Sequence, residues 1–239
     1  MYVYDTKEYK LEYCITISGL QPSIYNDLTE CAEQNCLFVS GFGAKFIHKI
    51  EPSGDDSKVT KFIDVPYEPK GLSITPEGNL LVAGNPNKLA EYDAKTGEKK
   101  CEVDLTTLFQ MPEACAAYDV NPLHAIKRAD GEYVVCHGSG VRIMKADGYT
   151  RRCYGGMWGP VEKDQLNNAC HVALREDNHM IVADNNNNRL VLLDESLEYV
   201  RTIVEFQQPH RVWFDAQSRL LYVGECTDNG CVKVFETQK

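Results

Sequence analysis

Short runs of alternating apolar and polar residues, broken by Gly, Pro, Asn and Asp, fill almost the whole chain. Such runs form half-buried strands, and turn residues between them mark hairpins. Five stretches line up: PSIYNDLTECAEQNCLFVSG, PKGLSITPEGNLLVAGN, PLHAIKRADGEYVVCHG, ACHVALREDNHMIVADN and PHRVWFDAQSRLLYVGE. In four of them a Pro opens or precedes a short strand, and Ala169 takes that place in the fourth. A turn such as Pro76-Glu77-Gly78-Asn79 or Ala129-Asp130-Gly131 follows, and then an apolar strand such as Leu80 to Ala83 or Met180 to Ala183.

The register of the five stretches is tight. Asp27, Gly71, His124, His171 and Arg211 stand at one position of the opening strand. Val39, Val82, Val135, Val182 and Val223 follow them by 12, 11, 11, 11 and 12 residues. The spacing between units is 44, 53, 47 and 40 residues, a mean of 46. Most units continue with a third strand ending in an acid (KFIHKIE, KLAEYD, RLVLLD, VKVFE) and then a more polar fourth strand. Four antiparallel strands repeating at this period predict an all-β fold, a β-propeller built as one domain over residues 1–239. Counting opening strands predicts five blades, with six as the alternative. Lys10 to Ile17 reads as a fourth strand that would complete the last blade, and Tyr2 to Thr6 then duplicates the third strand at Val234 to Thr237.

The segment YGGMWGPVEKDQLNNACHVALREDNHMIVADNNNNRLVLLD resembles an NHL repeat along nearly its whole length. Gly155, Gly156 and Gly159 match the family's glycine-rich inlet loop, and Asp184, Asn187 and Arg189 match its Asp-x-x-Asn-x-Arg signature. Gly84, His137 and Glu225 stand where Asp184 stands in the other units. The resemblance, which extends to the NHL domains of tripartite-motif proteins, implies a propeller and does not by itself fix a function.

Composition narrows the picture. The chain carries 25 Lys+Arg against 35 Asp+Glu, a net charge of -10. That balance disfavours RNA as a partner, because nucleic-acid binding needs a basic face. No run is long and apolar enough to span a membrane. Ten cysteines occur without any C-x-x-C pair, and no secretory signal or Asn-x-Ser/Thr acceptor is seen, so a cytoplasmic protein with free, mostly buried thiols is expected. Cys31 with Cys36, and Cys226 with Cys231, are spaced to bridge a hairpin under oxidising conditions.

Three sets of residues carry candidate chemistry. Asp27, His124, His171 and Arg211, with His210 one place earlier, fall at one mouth of a central channel if the opening strand is innermost. His124 and His171 are the metal-ligand candidates there, for zinc or calcium, although no cofactor is the expectation. A resemblance to the zinc-dependent peptidyl-hydroxyglycine amidating lyase implies histidines directly after the opening Pro. Only Pro209-His210 has that form. His124 and His171 come one residue later, where strand alternation aims a side chain to the other face. Propeller lactonases imply axial Glu and Asn ligands for calcium, and Asp27 is the lone axial carboxylate. The second set is Met157 and Trp158, with Arg151, Arg152 and Tyr154, in and beside a long loop that fits a binding face. The third, Asp184 with its following asparagines, reads as a turn-stabilising group. The favoured function from sequence is a protein-interaction scaffold. Single-stranded RNA binding at Arg151 and Arg152 is the first alternative, and a metal-dependent hydrolase or lyase with an axial histidine site the second. Catalysis is left open, with the balance against it.

Overall fold

The computed structural model describes residues 2–4, 11–14, 25–54, 56–105, 121–155, 165–226 and 231–237. They form a five-bladed β-propeller of antiparallel sheets, and among the described residues the only helical turns are 3-10 segments at Ala32–Gln34 and Asn185–Asn187. Before the ring come β1 (Tyr2–Tyr4) and β2 (Leu11–Cys14), paired with each other. Blade 1 is β3 (Tyr25–Cys31), β4 (Cys36–Gly41), β5 (Phe46–Glu51) and β6 (Lys58–Asp64). Blade 2 is β7 (Glu68–Ile74), β8 (Asn79–Asn85), β9 (Lys88–Asp93) and β10 (Lys99–Asp104). Blade 3 is β11 (His124–Lys127), β12 (Tyr133–Cys136), β13 (Gly140–Met144) and β14 (Thr150–Gly155). Blade 4 is β15 (Ala169–Leu174), β16 (Met180–Asp184), β17 (Arg189–Leu193) and β18 (Tyr199–Glu205). Blade 5 has three strands among the described residues, β19 (Pro209–Asp215), β20 (Leu220–Glu225) and β21 (Val232–Glu236).

The expected closure differs in one respect. Leu11–Cys14 does not extend blade 5; it pairs with Tyr2–Tyr4 in a separate two-stranded sheet. The link from β1 to β2 is short enough for a hairpin, and a local partner wins over one at the far end of the chain because closing a long loop costs more entropy.

The middle strands of blades 2, 3 and 4 are apolar on both faces because each of these blades packs between two others. Phe38, Ile47, Leu72, Leu80 and Val82 join blades 1 and 2. Leu81, Leu89, Ala125, Val135 and Met144 join blades 2 and 3. Val134, Ile143, Val172, Met180 and Val182 join blades 3 and 4. Ile181, Leu190, Val212, Leu221 and Val223 join blades 4 and 5. Each fully buried Leu, Ile or Phe contributes about 1.5–3 kcal/mol. Among the described residues no such cluster joins blade 5 to blade 1.

Polar staples supplement these interfaces. Between blades 2 and 3, the buried Glu91 carboxylate accepts from the Tyr133 hydroxyl, from Lys127 Nζ at 2.9 Å and from Asn79 Nδ2 at 3.1 Å. Seven described cysteines are free, in line with the expectation for most thiols, while Cys153 is disulfide-bonded. Cys31 and Cys36 face each other directly across β3 and β4. Among the described residues no helix is long and apolar enough to cross a membrane.

Candidate functional site

The innermost strands β3, β7, β11, β15 and β19 line the ring axis, and each brings one residue of the repeat position there. In four of the five, the pairing of first and second strands slips by one residue just before that position. The slips lie between Tyr25 and Asp27, Pro69 and Gly71, Ala169 and His171, and Pro209 and Arg211. A bulge of this kind re-aims the side chain that follows it. It also breaks simple alternation. His210 and Arg211 are consecutive, yet their side chains meet, Arg211 Nη1 donating to His210 Nδ1 at 3.0 Å.

Asp27 is the hub of the site. Its side chain is 3% exposed. Its Oδ2 accepts from the Leu72 backbone N–H of blade 2 at 2.8 Å, and its Oδ1 accepts from Arg211 Nε of blade 5 at 2.9 Å. His124 Nε2 of blade 3 lies 3.7 Å from Oδ2, and His171 Nε2 of blade 4 lies 3.8 Å from Oδ1. One carboxylate of blade 1 therefore meets all four other blades. The fifth axial position is Gly71, and a Cβ there would come within 2.5 Å of Leu123 O and 2.6 Å of His124 Cα. Its missing side chain is what lets blade 3 carry His124 up to the carboxylate.

The two imidazoles stack, with ring centroids 3.6 Å apart and planes 22° from parallel. His124 Nε2 lies 3.2 Å from the Leu72 carbonyl, an acceptor, so Nε2 carries the proton and Nδ1 the lone pair. Nδ1 of His124 and Nδ1 of His171 are both buried without a hydrogen-bond partner. Burial pushes the His124 pKa down to about 4, with Arg211 lowering it further and Asp27 partly opposing. Burial, then the neighbouring His124 and Arg211, hold His171 well below its usual range. Burial and Arg211 take His210 down to about 4. All three are neutral bases at physiological pH.

A cavity of about 760 Å³ opens on this group. Asp27, His124, His171 and Arg211 form its polar end, and Leu28, Ile126, Val172, Trp213 and Tyr222 contribute apolar walls. That volume is typical of small-molecule sites, which combine apolar walls with a few convergent polar groups. A depression of about 920 Å³ beside Asn187, Tyr199 and Phe206 is larger, but it lies on the outer strands and gathers no such group.

Asp27, His124 and His171 place ligand atoms within 4.8 Å of one another, a donor set suited to a borderline divalent ion. The Arg211 guanidinium already holds the carboxylate, which opposes a resident ion. His124 Nε2 is committed to Leu72 O, and the Nδ1 of each ring, buried without a hydrogen-bond partner, stays open to a proton or to a ligand.

The other candidate residues lie elsewhere. Asp184 is fully buried and organises the turn into blade 4. It accepts from Asn167 N at 2.7 Å, Asn187 Nδ2 at 2.8 Å and Arg189 Nε at 2.7 Å, while Arg189 and Asn187 also hold the Gln165 carbonyl. In blade 3, His137 takes the same place and accepts from Arg142 Nε at 2.9 Å. Arg151 and Arg152 are exposed on β14, and Arg151 is paired with Glu132 at 3.0 Å. Tyr154 is partly buried against the core joining blades 3 and 4. Met157 and Trp158 lie outside the described residues. Sequence reasoning missed the Leu72 N–H and the spacer role of Gly71. The glycine was visible at the repeat position, but backbone donors leave no mark in sequence.

No family model matches the chain, and no curated protein matches it. Solved structures share its fold. A protein of unknown function from Bacteroides caccae aligns with TM-score 0.65 at 19% identity, over 95% of this chain and 78% of that one. Another of unknown function, from Bacteroides thetaiotaomicron, aligns with TM-score 0.67 at 12% identity, over 87% and 58%. Virginiamycin B lyase from Staphylococcus aureus aligns with TM-score 0.57 at 18% identity, over 92% and 72%. A catalytically inactive His-to-Ala variant of that lyase, with quinupristin, aligns with TM-score 0.61 at 17% identity, over 94% and 73%. At these identities the likeness is one of fold, the five-bladed propeller; no family model supports the NHL resemblance read from blade 4.

Proposed function

We propose that the protein acts on a small organic molecule at the ring axis, as a lyase- or hydrolase-type catalyst working by proton transfer. The observation that carries this reading is the pair of buried, neutral, stacked imidazoles beside Arg211, each with an unpartnered Nδ1, at the polar end of a 760 Å³ cavity. A neutral imidazole with a free lone pair is a base, and a guanidinium nearby favours negative charge developing on a substrate oxygen. Asp27 orients Arg211 and balances its charge. Burial of Asp27 and His124 at the polar end of the cavity strengthens each of these interactions. The lyase neighbour, in which a histidine-to-alanine change abolishes catalysis, supports this by fold analogy.

Quinupristin, the molecule seen with that neighbour, is the first probe. Product analysis by mass spectrometry separates elimination, which adds no water, from hydrolysis, which adds one. The reading expects turnover by the wild type and its loss in His124→Ala and His171→Ala. Turnover surviving in both variants, or none by the wild type, contradicts it.

A second reading is a recognition frame, which any rigid propeller can serve. Exposed aromatic residues on the connecting loops, Phe42 and Tyr149, suit a partner surface, and the net charge of -10 favours a protein there over RNA.

A further inference from the structure

We infer that the β1–β2 hairpin is the outer half of a sixth blade seated against the free face of blade 1, beside the mouth of the axial cavity. The hairpin has the register of third and fourth strands. Tyr4 lies opposite Leu11 and Val3 opposite Tyr13, with one residue skipped. In blade 2, Tyr92 lies opposite Lys99 and Glu91 opposite Cys101, with the same skip. In blade 4, Leu193 lies opposite Tyr199 and Leu192 opposite Arg201. An acid follows the last of these third-strand residues each time: Asp5, Asp93 and Asp194.

Burial on blade 1 points to the same seat. Leu28, Val39, His48 and Ile50 share the face turned away from blade 2, as their cross-strand pairing shows. In a propeller the innermost strand should be the best covered. Here Leu28 on the first strand is 47% exposed, while Ile50 on the third is 0% and His48 is 7% exposed. Cover lies over the outer strands of this face and is missing from the inner one. A half-blade of third and fourth strands has that shape. Chain order agrees, because β2 is joined to β3 by residues 15–24, as each fourth strand is joined to the next blade.

Leu28, Glu30 and Leu37 of blade 1 and Trp213, Tyr222 and Gly224 of blade 5 all line the axial cavity. Trp213 is 55% exposed on the blade 5 side. This inference concerns the seam and does not depend on the catalytic reading.

Lysine-directed cross-linking of the intact chain, read by mass spectrometry, tests it. Lys7 and Lys10 belong to the segment that joins β1 to β2 in the chain. They are expected to link to Lys45, Lys58 or Lys61 of blade 1, and not to the exposed Lys95 and Lys99 of blade 2 or to Lys145 of blade 3. Links confined to blades 2 to 4, or no link from either lysine to blade 1, overturn it.

Discussion

Replacing Asp27 with alanine removes the one group that touches every other blade. Two charge-assisted hydrogen bonds are lost, from Leu72 N at 2.8 Å and Arg211 Nε at 2.9 Å. A hydrogen bond to a charged group is worth about 1.5–3 kcal/mol, and stripping one partner from a buried ion pair costs about 3–5 kcal/mol. Arg211 keeps 28% of its side-chain exposure, so water recovers part of its solvation. The net expectation is a loss of about 3–4 kcal/mol. Asp27→Asn keeps an acceptor for Leu72 N–H and should lose about half as much. Equilibrium urea unfolding followed by far-UV circular dichroism measures both. The pair should also couple, with Asp27→Ala and Arg211→Ala together costing about 1–3 kcal/mol less than the sum of the single changes. A loss below about 1 kcal/mol for Asp27→Ala would refute the hub, since a group joining five blades cannot be worth a surface contact.

Other outcomes follow from the same geometry. His124 and His210 titrate near pH 4 in the folded state, and His137 near 3, against about 6.5 when unfolded. The unfolded chain therefore binds more protons below pH 6.5. Stability is full above that pH and falls as pH drops toward 4, by up to about 1.4 kcal/mol per pH unit for each histidine; a flat urea midpoint between pH 7 and 5 would contradict this. Gly71→Ala should cost about 1–3 kcal/mol through its clash with Leu123 O and His124 Cα, and should shift the His124 ring resonances. Asp184→Ala leaves three donors of the blade 4 turn without their acceptor, and a loss of about 2–4 kcal/mol is expected in the same unfolding assay.

The fold was legible because propeller repeats write themselves twice, in period and in register. The valines counted from Asp27, Gly71, His124, His171 and Arg211 do sit in second strands, paired with or next to the residues expected. The convergence of Asp27, His124, His171 and Arg211 followed from the same count. What was hidden is the physics of single backbone positions. The bulges before Gly71, His171 and Arg211 have no residue signature, so sequence alone does not tell how the side chains that follow them are aimed. The ring's seam was illegible for a related reason. Tyr2 to Thr6 resembles a third strand wherever it is placed, and only its pairing with Leu11–Cys14 shows that it supplies no strand to blade 5.

The central claim is that the axial histidines, rather than the loops or a bound ion, meet the ligand. Nitrogen-15 NMR of histidine-labelled protein tests it directly, titrating quinupristin and, separately, zinc. The account predicts that quinupristin moves the ring resonances of His124 and His171 while those of His48 and His179 stay in place, and that zinc at equimolar ratio leaves the axial pair unchanged. Axial resonances indifferent to quinupristin, or a stoichiometric shift of both on adding zinc, would contradict it.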